Sequence, residues 1–169
     1  MVGNKADHQF LYIPSMRTVF HSIKFIVISL LVGYASMLLQ SNSMKTWYPM
    51  LEKSPLTPPG YVFAYVWSAL YILMGLSAGL VMGKRRPYSW VVILMFAIQL
   101  FFNLLWSFTF FYMQLPLLAL VVLIALFLAA AAYTIGCYGQ RPLAAFLNIP
   151  YLLWLLFAAY LNGYVVVFN

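Results

Sequence analysis

Gln99, Asn103 and Trp106 stand at i, i+4 and i+7 of one apolar run, so a helix through them points two side chains that carry amides and one indole the same way. In hydrocarbon an unpartnered polar group costs roughly a few kcal/mol, so these residues should face other helices; the open question is whether they also face a ligand. Trp154, Ala158, Leu161 and Asn162 form a second stripe at i, i+4, i+7 and i+8, with room for a planar molecule beside Ala158. Plain helix packing gives the same pattern. Trp67, Tyr71, Gly75 and Gly79 form a third stripe, in which large rings at one end and bare backbone at the other suggest a cavity above a tight crossing. The chemistry such residues can do is recognition: aromatic walls and a few fixed hydrogen bonds. Hydrolytic and metal chemistry lack their residues, because Asp7, Glu52, His8 and His21 all lie outside the apolar cores and Cys137 is the single cysteine. No catalytic residue, metal ligand or resident cofactor is expected, and enzymatic activity is not the expectation.

The elements that must position these stripes follow from composition. Of 169 residues 66% are hydrophobic and only 7% charged, which leaves too little polar surface for a soluble protein. At ~20 residues for a ~30 Å hydrocarbon core, the chain accommodates five spans. The fold class expected is therefore an all-α membrane protein, a five-transmembrane-helix bundle embedded in the lipid bilayer. A polar tail over 1–19 precedes a transmembrane domain over 20–169, with spans at about 20–40, 61–83, 88–112, 117–137 and 143–168. Pro150 should kink the last of these. The short turn at 113–116 makes the third and fourth spans antiparallel neighbours. Gly75, Gly79 and Gly83, spaced by four, suit either a homodimer contact or close packing inside the bundle.

The segment 41–60 is rich in proline and carries Trp47, Tyr48, Lys53, Pro58 and Pro59, which favours a rigid irregular cover over helix or sheet. Trp47 and Tyr48 belong either to that lid or to the interfacial aromatic belt. Lys53 either meets a ligand carboxylate or stands in solvent. The net charge of +7 is scattered, with no basic, aromatic-interleaved surface, so no nucleic-acid partner is expected. Lys5, Arg17, Lys24, Lys84, Arg85, Arg86 and Arg141 fall on one side of the spans, against Lys45 and Lys53 on the other. The positive-inside rule then puts the amino terminus in the cytoplasm and the proline-rich loop outside. The three stripes meet in the half of the bundle beneath that loop.

These residues resemble the translocator protein family, which includes the tryptophan-rich sensory proteins and the peripheral-type benzodiazepine receptors. The matching motifs are Trp47-Tyr48-x-x-Leu51-x-Lys53 with Pro58-Pro59, Trp67-x-x-Leu70-Tyr71-x-x-Met74, Gln99-Leu-x-x-Asn103-x-x-Trp106 with Phe110-Phe111, and Pro150-Tyr151-Leu-x-Trp154-x-x-x-Ala158-x-x-Leu161-Asn162. The resemblance implies a five-helix bundle, often dimeric, that binds porphyrins and other apolar ligands such as sterols. Carried over position by position, it implies a pocket lined by Asn103, Trp106, Ser107, Trp154, Ala158 and Leu161, closed by the loop. Two departures stand out. Leu56 occupies the place of a loop tryptophan implicated in light-dependent porphyrin breakdown, and a leucine cannot donate an electron to an excited porphyrin. Tyr160 and Tyr164 are followed by no Lys or Arg, so the proposed sterol-recognition pattern is incomplete.

The expected function is a membrane receptor for porphyrin-type tetrapyrroles or other planar apolar ligands, with a regulatory, transport or sequestration role. The ligand-binding set is Trp47, Tyr48, Trp67, Tyr71, Asn103, Trp106, Ser107, Trp154, Ala158, Leu161 and Asn162. Two alternatives remain: a light-dependent porphyrin-degrading enzyme, and a passive translocator, since no charged residue lies in the span cores to couple transport to protons. A bacterial plasma membrane is the expected location, and the resemblance also admits the mitochondrial outer membrane.

Overall fold

The computed structural model describes residues 15–83 and 86–169. Its helices are α1 (Met16–Gln40), α2 (Ser43–Thr46), α3 (Gly60–Gly83), α4 (Ser89–Ser107), α5 (Pro116–Gln140) and α6 (Pro142–Phe168), and there is no strand among the described residues. Five of them are long and apolar enough to cross a membrane, matching the five expected spans. α1 starts at Met16 rather than near Phe20, because the Ser15 hydroxyl accepts the Thr18 N–H at 3.3 Å and caps the helix before the apolar run begins. The rest of the expected tail, and Lys84 and Arg85, lie outside the described residues. α6 continues as one helix through Pro150.

The long helices close a ring in which α1 packs on α3, α3 on α6, α6 on α5, α5 on α4, and α4 on α1. α3 and α5 run away from the segment 41–59, and α1, α4 and α6 run toward it; the end that carries this segment is the loop end. The α1–α3 crossing uses the glycine series. A Cβ built on Gly75 would meet the Ile26 backbone, one on Gly79 would meet Ser22, and one on Gly83 would meet Thr18. Steps of four on α3 thus match steps of four on α1, and the two backbones approach more closely than any side chain would allow. The glycines serve packing inside the bundle.

At its loop end α4 widens into a π turn over Phe108–Tyr112, with the Met113 N–H reaching the Phe108 carbonyl at 2.9 Å. The Thr109 hydroxyl donates to the carbonyls of Leu105 and Trp106 at 3.0 and 3.1 Å, competing with the ordinary ladder. The wider turn buries Phe110 and Phe111, consecutive residues, together. Gln114 at φ 56 and Leu115, held out of the helical region before Pro116, then reverse the chain into α5.

The loop is less irregular than its prolines suggest. Its first half is helical, in α2 and in a 3-10 turn at Tyr48–Met50, and only the stretch after Leu51 is irregular. Pro55, Pro58 and Pro59 lie in that second half, and Pro49 stands in the first turn of the 3-10 stretch, where its missing N–H has no helical partner to lose.

Candidate functional site

The three stripes converge at the loop end as a packed cluster of rings. α3 supplies Trp67, whose indole stacks on Trp106 of α4 at 6.1 Å between centroids and meets Trp154 of α6 edge-on at 6.4 Å. Tyr71 and Tyr151 flank the same indole at 5.6 and 6.2 Å, and Phe63 touches Trp154 at 5.7 Å. The expected open cavity is therefore occupied by the protein's own rings, with Trp67 at the centre. Aromatic rings attract one another in such offset and edge-on arrangements, so the cluster joins α3, α4 and α6 at this end. A groove of about 550 Å³ lies elsewhere, between α1, α2 and the loop end of α4, where Leu38, Asn42, Leu104, Phe111 and Gln114 are among its walls. None of the sequence-assigned site residues lines it.

Two hydrogen-bonded ties cross the site. Asn103 is 1% exposed; its Oδ1 accepts from the Tyr71 hydroxyl at 2.6 Å and its Nδ2 donates to the Tyr151 hydroxyl at 3.1 Å, joining α3, α4 and α6. Trp106 Nε1 donates to Asn162 Oδ1 at 3.2 Å, while Asn162 Nδ2 donates to the Pro116 carbonyl at 2.8 Å, joining α4, α6 and the start of α5. Both asparagines thus have both ends of their amides engaged within the protein. Ala158 and Ser107 are buried, and Leu161 is half-buried, on the same helices.

Two polar groups on the stripes are not engaged. Trp154 Nε1 and both amide atoms of Gln99 are buried with no hydrogen-bond partner, and Gln99 is 0% exposed. Gln99 lies one turn from Asn103, on the side away from the loop.

Trp47 and Tyr48 do not touch the central indoles directly. Trp47 packs on Phe110 at 5.6 Å and Tyr48 on Phe111 at 5.8 Å, and Phe110 stacks on Trp106 at 5.8 Å, so the rings form one continuous path from lid to core. Partial burial raises the Tyr48 pKa above its ordinary value of 10.0. Lys53 does not stand free in solvent. Its ammonium donates to the carbonyls of Tyr48, Pro49 and Leu51 at 3.0, 3.3 and 3.0 Å and lies 5.1 Å from the centroid of the Tyr48 ring, tying the loop to itself. The loop is also tied to α6. Ser54 Oγ bonds the Tyr160 hydroxyl at 2.9 Å, and the Asn169 amide accepts from the Glu52 N–H at 3.0 Å and donates to the Glu52 carbonyl at 3.2 Å. Leu56 is 65% exposed on the outside of this cover.

Sequence reasoning missed Phe63 and Tyr151 as members of the site, although the signal was present. Phe63 is four residues before Trp67, and Tyr151 extends the α6 stripe backward at i−3 from Trp154 and i−7 from Ala158. Tyr160 and Asn169 tie the loop across more than a hundred residues, and no spacing pattern could have paired them.

Comparison with known proteins agrees with this architecture. A sequence profile of the TspO/MBR family matches residues 25–168. The tryptophan-rich protein TspO of Chlorobaculum tepidum is 35% identical over 143 residues, covering 83% of this chain and 90% of that protein. Its namesake in Archaeoglobus fulgidus is 36% identical over 140 residues, covering 83% and 91%. The human translocator protein is 39% identical over 119 residues, covering 69% and 70%. With its five apolar helices and these matches, the chain is an integral, multi-pass membrane protein that belongs to the TspO/MBR family.

Proposed function

We propose that this protein binds porphyrin-type tetrapyrroles or other planar apolar ligands at the loop end of the bundle, and that occupancy serves a regulatory or transport role. The observation that carries this reading is the ring cluster, in which Trp67, Trp106 and Trp154 come from three different helices to one place under a tied cover. Flat aromatic walls with few polar groups suit a flat apolar guest, which would take the place Trp67 now fills between Trp106 and Trp154. The names of the relatives, tryptophan-rich sensory protein and translocator protein, accord with sensing or passage. Arg17, Lys24, Arg86 and Arg141 belong to the end away from the loop, which favours a cytoplasmic amino terminus and a loop facing outward.

The test is titration of the detergent-purified protein with protoporphyrin IX in the dark, following tryptophan fluorescence, for wild type and Ala158→Phe. Ala158 is 7% exposed on the α6 stripe, so a phenyl ring there takes up guest space. Saturable quenching in the wild type, weakened at least tenfold (a difference of ~1.4 kcal/mol) in a variant that still folds, is expected. Equal, non-saturating quenching in both proteins refutes the pocket.

A further inference from the structure

We propose that the end of the bundle away from the loop carries a site for an anionic phospholipid, with the phosphate of its headgroup held between Arg86 and Arg141. This site lies at the opposite end of the molecule from the ring cluster and does not depend on it. Two connections far apart in the sequence are clasped there. Arg86, between α3 and α4, donates from Nη1 to the Gln140 carbonyl at 2.6 Å, and Gln140 Nε2 donates back to the Pro87 carbonyl at 2.8 Å. That carbonyl belongs to the peptide joining Gln140 to Arg141, so the Arg86 guanidinium is held beside the residue that carries the second positive charge. The turn that presents Arg86 is itself fixed, because the Arg86 N–H donates to the Ser89 hydroxyl at 3.3 Å.

Arg86 is exposed, and a guanidinium has five N–H donors, so it holds Gln140 with one and can offer a planar fork to a phosphate with others. Arg17 and Lys24 of α1 add to the positive field at this end, while Glu52, the only acid among the described residues, lies in the loop at the other end. The depth is that of lipid headgroups. α4 begins at Ser89 and α5 ends at Gln140, which leaves both arginines just outside the apolar spans. Trp90 and Tyr138 are exposed on those two helices within four residues of them, as aromatic side chains at a membrane interface are. Below them Leu94 and Ile135 are exposed and apolar, so acyl chains meet matching surface directly beneath the charges. A soluble anion would use the arginines alone; a phospholipid uses the arginines and the apolar flank together, and basic pockets between spans are headgroup sites of this kind. One bound lipid then reinforces the clasp between the α3–α4 and α5–α6 connections.

The experiment gives the full chain in detergent an equimolar mixture of phosphatidylglycerol and phosphatidylcholine with the same acyl chains, and counts retained lipid by native mass spectrometry. Wild type is compared with Arg86→Gln, Arg141→Gln and Arg17→Gln. The glutamine at position 86 keeps an N–H for the Gln140 carbonyl and loses the charge; Arg17→Gln removes the same charge from the same end but outside the clasp. Wild type should retain phosphatidylglycerol over phosphatidylcholine by about tenfold. Arg86→Gln and Arg141→Gln should each lose most of that preference, and Arg17→Gln should keep it. Either of the two clasp variants carries the test alone if the other does not fold. An equal loss in all three variants reduces the attraction to the overall charge of this end and overturns the site, as does a wild type without preference. Displacement of phosphatidylglycerol by an equal concentration of glycerol phosphate, which has the headgroup chemistry and no chains, assigns the site to a free anion and overturns the lipid.

Discussion

Replacing Asn103 with leucine should destabilise the bundle. The substitution removes two bonds at once, the Tyr71 hydroxyl to Oδ1 at 2.6 Å and Nδ2 to the Tyr151 hydroxyl at 3.1 Å, and it strands both hydroxyls among apolar neighbours. Hydrogen bonds between membrane helices average ~0.6 kcal/mol and reach ~1.7 kcal/mol, because the unfolded chain in the membrane finds other partners. Two such bonds give about 1–3 kcal/mol, a loss readable by thermal or denaturant unfolding in detergent. The triple variant Tyr71→Phe, Asn103→Leu, Tyr151→Phe removes the stranded hydroxyls as well and should recover most of that loss, since replacing all partners by apolar groups of similar shape is close to neutral. Unchanged stability in Asn103→Leu refutes the assignment of this residue to a structural tie.

The α1–α3 crossing makes a steric prediction with an internal control. Gly79→Leu places side-chain atoms against the Ser22 backbone and should separate the helices, costing about 1–3 kcal/mol or more, while Gly163→Ala, whose added Cβ meets nothing within 4 Å, should stabilise α6 by up to ~1 kcal/mol. Unfolding curves of the two variants against wild type check both signs. Tyr48 predicts an alkaline weakness in the lid. Its folded pKa is raised by burial, so above the ordinary value of 10.0 the unfolded tyrosine loses its proton while the folded one holds it, and stability falls as pH rises. Tyr48→Phe should abolish that part of the alkaline loss, measured as melting temperature between neutral pH and pH ~11.

What could be read from the sequence was whatever repeats along a helix. Hydropathy located five spans, and i, i+4, i+7 spacing brought Trp67, Asn103, Trp106, Trp154 and Asn162 to one end of the bundle. Spacing could not say what each group bonds to. That Asn103 is shared by two tyrosines from different helices, and that Lys53 turns back onto carbonyls two to five residues away, depends on tertiary distances that periodicity does not encode. The glycine series was legible as a close contact but not as to its partner, since a neighbouring helix and a second copy demand the same small residues. The π turn at Phe108–Tyr112 escaped for a related reason: it shows in backbone bonding, where the Thr109 hydroxyl also bonds two carbonyls, and nothing in the hydrophobic pattern marks it.

The packing of the ring cluster bears on how tightly a guest of the proposed kind can bind. On the proposed reading a planar ligand displaces Trp67 from its stacking with Trp106 and its edge contacts with Tyr151 and Trp154, and ring pairs of this kind are worth about 0.5–1.5 kcal/mol each beyond their burial. The apparent affinity is therefore the intrinsic one reduced by the fraction of molecules already open. A guest that merely replaces indole with another flat apolar surface regains what it displaces and little more. On the proposed reading, net affinity comes from the larger apolar surface that a planar guest buries compared with one indole. The asparagines hold the helices at fixed spacing, and the indoles between them present flat apolar walls.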